Sequence, residues 1–339
     1  MSKILYMSCH EILEYDEVKL FAELGHEVYS LGAYTQPGGD SHRKRPSLDL
    51  PYDPHFIELA LQYPAERLHP EQLAGVDIAI IMHKPELLKH NWPLFKSELI
   101  DKGKRVIWRS IGQSIPRVED KLRPMRNEGL EIVRYSPTED TIEGNVGSDA
   151  MIRFYKDPEE YNGWTGSDRR VVNFTQSMKQ RRDHCGYDIW SQTTQVLPRV
   201  VYGPGNEDLG KSWGGMLTYE EQMRAFRAGR VYFYHGTYPA SYTLSFIEAM
   251  MTGMPIVAVG PIHGNGSMFN RQQTYEIPDF IDTGLNGYCG DNAGYLTSAM
   301  QEMLIDHDKA AAIGQFGRAR AIELFGKAKI KSEWENYLK

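Results

Sequence analysis

Tyr238–Gly260 reads YPASYTLSFIEAMMTGMPIVAVG. Taken from its residues, the stretch is a loop, a helix that opens at Ser241–Thr243, a Gly-Met-Pro stop after Thr252, and a buried strand over Pro255–Val259. A helix feeding a wholly apolar strand is one repeat of a parallel α/β sheet. The helix begins beyond the carboxyl end of a preceding strand, Arg230–Tyr234. It therefore presents free backbone N–H groups and a positive dipole end where ligands of open α/β sheets bind. Two accounts of this start stand side by side. Ser241 and Thr243 can be ordinary caps, with Glu248 a solvated carboxylate. Alternatively the helix start is an anion site suited to a diphosphate, with Glu248 one to two turns further along and able to accept hydrogen bonds from ribose hydroxyls.

Working outward, strands are expected at Arg170–Phe174 and Val200–Tyr202 before this unit, and helices at Tyr219–Ala228, Ala293–Asp306, Lys309–Leu324 and Ala328–Leu338. A second series occupies the N-terminal half. It has a strand at Lys3–Met7, a polar turn at Ser8–Tyr15, a helix over Asp16–Leu24 and a strand at Glu27–Leu31. Further strands follow at Asp77–Met82, Arg105–Trp108 and Leu130–Tyr135. The segment Ala33–Pro54, rich in Pro, Gly and charge, reads as a long loop. The expected architecture is α/β, with two Rossmann-like doubly wound domains facing each other across a cleft. Residues 1–165 form one domain, 166–325 the other, and 326–339 a C-terminal helix returning toward the first.

Bulk properties narrow the class. A chain of 339 residues suits two domains. No run reaches the ~20 apolar residues of a membrane span, and MSKILYMSCHE lacks a signal-peptide core, so a cytoplasmic protein, or one peripheral to the inner membrane face, is expected. Cys9, Cys185 and Cys289 give neither a disulfide framework nor metal spacing. The net charge of -7 disfavours nucleic acid as a general partner, although His42–Arg45 (HRKR) and Lys179–Arg182 are local cation runs.

The Tyr238–Gly260 stretch resembles the donor-binding signature of retaining GT-B glycosyltransferases, the large family 4-like group, in which a Glu-x7-Glu motif is followed by Ala-Met-x-x-Gly-x-Pro-Val-Val. The likeness continues upstream through VVYGPG at Val200–Gly205, GGMLTY at Gly214–Tyr219, Glu220–Phe226 and Arg230–Tyr234. Downstream it continues through Glu276–Gly287 and Ala293–Leu304. It covers roughly residues 170–325, and the N-terminal half matches in general plan. The resemblance implies a hexosyl- or pentosyltransferase that moves a sugar from a nucleotide-diphosphate donor, a UDP-sugar foremost, to a saccharide or glycolipid hydroxyl. It implies retention of configuration and no bound metal or permanent cofactor. By the same likeness Glu248 holds the ribose, Thr243 and Leu244 offer amides to the diphosphate, and Gly215, Met216 and Leu217 line the base pocket. Lys179 and Arg181, with Arg182 as alternative, neutralise the leaving phosphates.

The sequence departs from that pattern in two places. Ala240 stands where the motif's first Glu contacts the donor sugar, and His235-Gly236 replaces a Pro-Ser pair, so His235 becomes a candidate for phosphate or sugar. An added loop, Ile262–Tyr275, brings His263, Asn265 and Arg271 as further sugar candidates. In the N-terminal half the polar residues after strands, His10, His83 and Gln113, are the acceptor-side candidates, while Arg153 and Lys156 lie near the hinge. Two alternatives remain: a DNA-modifying glycosyltransferase acting on hydroxymethyl bases, and a non-catalytic sugar-nucleotide-binding protein. The oligomeric state is left open by the sequence.

Overall fold

A computed structural model describes residues 1–30, 45, 48, 58–59, 67–266 and 272–339. The expected loop over 33–54 thus lies outside the described residues except at Arg45 and Leu48, as do His42–Lys44 and Arg271. The chain forms two compact units. The first is Met1–Arg153 with Lys331–Lys339, and the second is Phe154–Ile330.

The first unit is built on β1 (Lys3–Ser8), β2 (Glu27–Ser30), β3 (Ile78–Met82), β4 (Arg105–Arg109), β5 (Glu131–Arg134) and β6 (Ala150–Met151). They form one parallel sheet in the order β2-β1-β3-β4-β5-β6. The order reverses beside β1: the chain steps one way to β2 and the other way to β3. Its crossover helices are α1 (Glu11–Glu23), α2 (Pro85–Glu98) and α3 (Pro116–Arg126). Every residue of β3, Ile-Ala-Ile-Ile-Met, is buried, as a strand covered on both faces requires. Against one face pack Leu87, Leu88, Trp92 and Phe95 of α2 and Val118, Leu122 and Met125 of α3. Each such side chain contributes about 1.5–3 kcal/mol when fully buried.

Helix α1 corrects one expectation. The segment Ser8–Tyr15 looks like a polar turn because it carries Glu11 and Glu14, yet the helix already starts at Glu11, with His10 as N-cap accepting from the Leu13 amide. The acidic residues are inside, not solvated. Glu14 accepts from Ser30 Oγ. Glu17 accepts from Tyr6 Oη at 2.5 Å and pairs with the wholly buried Arg109 at 2.8 Å. Charge periodicity misleads where carboxylates are paired in the core.

The second unit repeats the plan. Strands β7 (Asp168–Phe174), β8 (Arg199–Tyr202), β9 (Gly229–Tyr234), β10 (Ile256–Val259) and β11 (Tyr288–Gly290) form a parallel sheet in the order β11-β10-β9-β7-β8. Here the reversal falls between β7 and β9. The helices used below are α4 (Tyr187–Thr194), α5 (Tyr219–Ala228), α6 (Leu244–Thr252), α7 (Ala293–Ile305), α8 (His307–Phe325) and α9 (Lys327–Leu338). Helix α9 leaves the second unit at Ile330, and its remainder completes the first. There Trp334 meets Phe21 edge-on at 5.0 Å and lies under the Arg109 guanidinium, while Tyr337 donates to Glu131 at 2.6 Å.

Candidate functional site

In open α/β sheets the ligand crevice lies outside the carboxyl ends of the strands, at the point where strand order reverses. In the second unit that point is between β7 and β9. The loops that follow these two strands are Thr175–Gly186, which holds the predicted cations, and His235–Thr243, which leads into α6.

Backbone and side chains fasten the two loops together. His235 Nδ1 is bonded to the Cys185 carbonyl, and the Tyr238 amide donates to the His184 carbonyl at 2.8 Å. Gly186 has φ +57°, and a Cβ there would sit 2.4 Å from the His235 carbonyl oxygen, so a residue without a side chain is needed for this approach. On the other flank Asn206 is fully buried. Its Oδ1 accepts from the Met178 amide at 2.8 Å, and its Nδ2 donates to the Thr175 carbonyl at 2.8 Å. Asn206 was not among the predicted residues. Its one sequence signal is its place at the end of the Gly-Pro-Gly turn, where a side-chain amide often substitutes for backbone hydrogen bonds.

Helix α6 opens as the sequence suggests, but without a cap. Thr243 is the N-cap residue in extended conformation, and its side chain accepts from none of the helix's backbone amides. Its Oγ1 lies 3.1 Å from Ser245 Oγ, which accepts from Tyr232 Oη at 3.0 Å. Among the described residues, the amides of Leu244, Ser245 and Phe246 have no acceptor. Thr243, Leu244 and Ser245 are half-buried, so those amides point to a reachable surface. Tyr234, the last residue of β9, is buried, with its hydroxyl beside Thr243. At Thr243 the structure shows no side-chain cap, so the helix start is open.

The three cations differ in availability. Arg182 forms an ion pair with Asp188 and stacks over Tyr187. Lys179 is exposed and 4.0 Å from Asp208. Arg181 is half-buried and makes no ion pair among the described residues. Gly215 has φ +91°, with its carbonyl accepting from the Gly203 amide at 3.1 Å; Met216 is exposed and Leu217 half-buried.

Glu248 is placed differently from a solvent-facing ribose ligand. It is 0% exposed, and its carboxylate pairs with Lys156 Nζ at 2.9 Å and accepts from Tyr161 Oη at 3.1 Å and Gln222 Nε2 at 3.2 Å. Lys156, itself 2% exposed, therefore ties the segment entering the second unit to the middle of α6. Ala240 is buried. In the added loop, the His263 amide donates to Asp291 at 3.0 Å, and Asn265 bridges Pro261 and Tyr275, so both hold the turn Pro261–Gly264 in place.

In the first unit the loops after β1, β3 and β4 lie side by side: the Cys9 amide donates to the Met82 carbonyl and the His83 amide to the Arg109 carbonyl, each at 3.2 Å. Of the three predicted residues, His10 caps α1, Gln113 is exposed, and His83 is buried with φ +48° and its Nδ1 unpartnered. Arg153 is buried at the end of this unit. Among the described residues no three His, Cys, Asp or Glu side chains gather as a metal site, and no described helix is long and apolar enough to cross a membrane.

Burial pulls the pKa of both His83 and His235 down to about 4. Between that value and the ordinary ~6.5, the unfolded chain takes up a proton that the folded chain refuses. Stability is therefore full above pH ~6.5 and is lost as pH falls toward 4, by up to about 3 kcal/mol per histidine. Denaturant titrations across this window should show His83→Phe and His235→Phe each removing one proton's worth of slope; unchanged slopes would contradict the buried neutral rings.

No protein-family model matches the sequence, and no curated protein does. Solved structures match it over nearly its whole length. A sucrose-phosphate synthase from Thermosynechococcus elongatus is 15% identical, with TM-score 0.69, covering 100% of this chain and 98% of that one. HepE from Anabaena, in complex with UDP and glucose, is 14% identical with TM-score 0.66 and coverage of 100% and 99%. A glycosyltransferase from Rickettsia africae is 11% identical with TM-score 0.65 and coverage of 99% and 97%. At these identities the likeness shows the fold: an α/β protein of two Rossmann-like domains on the GT-B plan.

Proposed function

We propose that the protein is a glycosyltransferase that moves a sugar from a UDP-sugar to an acceptor hydroxyl, with retention of configuration and without a metal ion. The observation that carries this reading is the uncapped start of α6, which lies at the reversal point of its sheet beside the loop of Arg181. Free amides, a helix dipole and a half-buried guanidinium form a preorganised positive site, and such a site stabilises a departing diphosphate without reorganising. HepE, of the same fold, was crystallised with UDP and glucose.

In this reading Thr243 and Leu244 hold the diphosphate, Arg181 and Lys179 balance its charge, and Gly215–Leu217 meet the base. Because a carbonyl can only accept, the bond from His235 to Cys185 fixes the proton on Nδ1, which leaves Nε2 as an acceptor. His235 thus suits a sugar hydroxyl and repels a phosphate oxygen. Glu248 is the residue we assign to a ribose hydroxyl, which it reaches when Gln222, at 3.2 Å from the carboxylate, gives way. The acceptor belongs to the first unit, at the strand-end loops of His10, His83 and Gln113. A saccharide is the acceptor class we favour.

A thermal-shift series tests the donor. UDP-glucose at about 100 times its Kd stabilises the folded protein by about 2.7 kcal/mol. A rise in Tm with UDP and UDP-sugars, absent with the free base, is the expected result; no shift with any nucleotide sugar would remove the reading. The buried Ala240 and the enclosed Glu248 favour one second reading, a sugar-nucleotide-binding protein without turnover. It would be recognised by a Tm shift unaccompanied by donor hydrolysis or transfer.

A further inference from the structure

Strand β9 ends in Tyr232-Phe233-Tyr234, and alternation along a strand turns the two tyrosines to one face. Helix α6 covers that face. The Tyr234 ring meets Phe246 at 5.2 Å, and the Tyr232 hydroxyl donates to Ser245 Oγ at 3.0 Å. Both tyrosines are buried, at 2% and 3% exposure. Their hydroxyls converge, because Ser245 Oγ lies 3.1 Å from Thr243 Oγ1 and the Tyr234 hydroxyl stands beside Thr243. Four hydroxyls thus run from two buried phenols to two half-buried residues at the start of α6.

This chain does not act as a cap. A capping hydroxyl accepts from an amide of the first turn, and Thr243 accepts from none of them. A hydroxyl has one proton to give and two lone pairs to offer. The Tyr232 proton goes to Ser245, and a phenol, the stronger acid, polarises the alcohol it donates to. Ser245 keeps its own proton, and its neighbour on the other side is Thr243. When Ser245 donates there, Thr243 becomes an acceptor, and its second lone pair faces the Tyr234 hydroxyl. The Thr243 proton is then directed out of the chain.

The sign of what is presented selects the ligand. Among the described residues the amides of Leu244, Ser245 and Phe246 have no acceptor, so the outward Thr243 proton joins a set made of donors. An anion with several oxygens can receive them all. A phosphoryl group is of that kind, and hydrogen bonds to a charged acceptor are about twice as strong as neutral ones.

We propose that Tyr232, Ser245 and Thr243 form an ordered hydroxyl chain whose outer member donates to a phosphoryl oxygen of the ligand. Thr243 is the binding residue; Ser245 and Tyr232 are positioning residues that set the direction of its proton. The chain rests on the transferase reading for the identity of the ligand, a nucleoside diphosphate sugar, and on its own geometry for phosphoryl binding.

Isothermal titration of the full chain with UDP and with inorganic pyrophosphate tests it. Wild type should bind both. Thr243→Val, which keeps the shape and removes the hydroxyl, should weaken both about tenfold, Ser245→Ala about as much, and Tyr232→Phe a few-fold. Because the three act through one outer proton, Tyr232→Phe/Thr243→Val should bind UDP within about twofold of Thr243→Val alone. If Tyr232→Phe fails to fold, Ser245→Ala/Thr243→Val carries the same comparison. Losses that add in the double variant, a loss for UDP without one for pyrophosphate, or unchanged binding by Thr243→Val overturn the chain and leave the transferase reading standing. Pyrophosphate bound through the chain by a wild type that ignores UDP and every nucleotide sugar supports the chain and removes that reading. A wild type that binds neither overturns both.

Discussion

Replacing Glu248 by alanine is expected to destabilise the second unit by about 3–5 kcal/mol, because Lys156 would be left charged in a site that excludes water. The geometry behind this is a carboxylate 0% exposed with the ammonium of Lys156 at 2.9 Å. Removing both charges should cost much less than removing one. The double variant Glu248→Leu/Lys156→Met should recover most of the loss, since a buried pair is often no more stabilising than packed hydrocarbon. Urea unfolding of the two single variants and the double variant gives the coupling directly. A loss within ~0.5 kcal/mol for Glu248→Ala would mean that the pair is not sealed as described.

Arg181→Ala is expected to lower turnover of the preferred UDP-sugar by about 10²–10³ while leaving Tm within a degree or two of wild type. Arg181 is half-buried and makes no ion pair among the described residues, so its charge is available to a ligand, and its removal should leave the fold intact. Arg182→Ala is the control: its guanidinium pairs with Asp188 on an exposed surface, and only a few-fold change is expected. Equal losses for the two variants would show that the loop acts through general charge, and no loss for Arg181→Ala would remove it from the site.

Much of this fold can be read from periodicity. Both sheets are built from short runs that are apolar throughout, such as IAIIM and IVAV, and parallel sheets demand that pattern because helices cover both faces. The helix α6 follows from Tyr238–Gly260 alone, although the stretch leaves open whether its start is capped. The sequence misled where partners are distant in the chain. Ser8–Tyr15 reads as a polar turn although α1 already starts at Glu11, and nothing local to Glu17 reveals that Arg109, some ninety residues on, neutralises it in the core. The motif around Glu248 likewise gives no sign that Lys156, from outside it, stands against the carboxylate. The clamp at Asn206 was equally illegible, because it depends on two loops brought together only by strand order. Local rules report what a segment can form; they carry little about which distant group will meet a buried charge.

The last nine residues bear on the order in which the chain matures. The cluster of Trp334 with Phe21 and Arg109, and the bond from Tyr337 to Glu131, belong to the first unit but are carried by its most distant segment. Domains generally fold in the order in which the ribosome delivers them. Here the earlier-made unit cannot bury Phe21 and Arg109 against Trp334 until the later one has been synthesised.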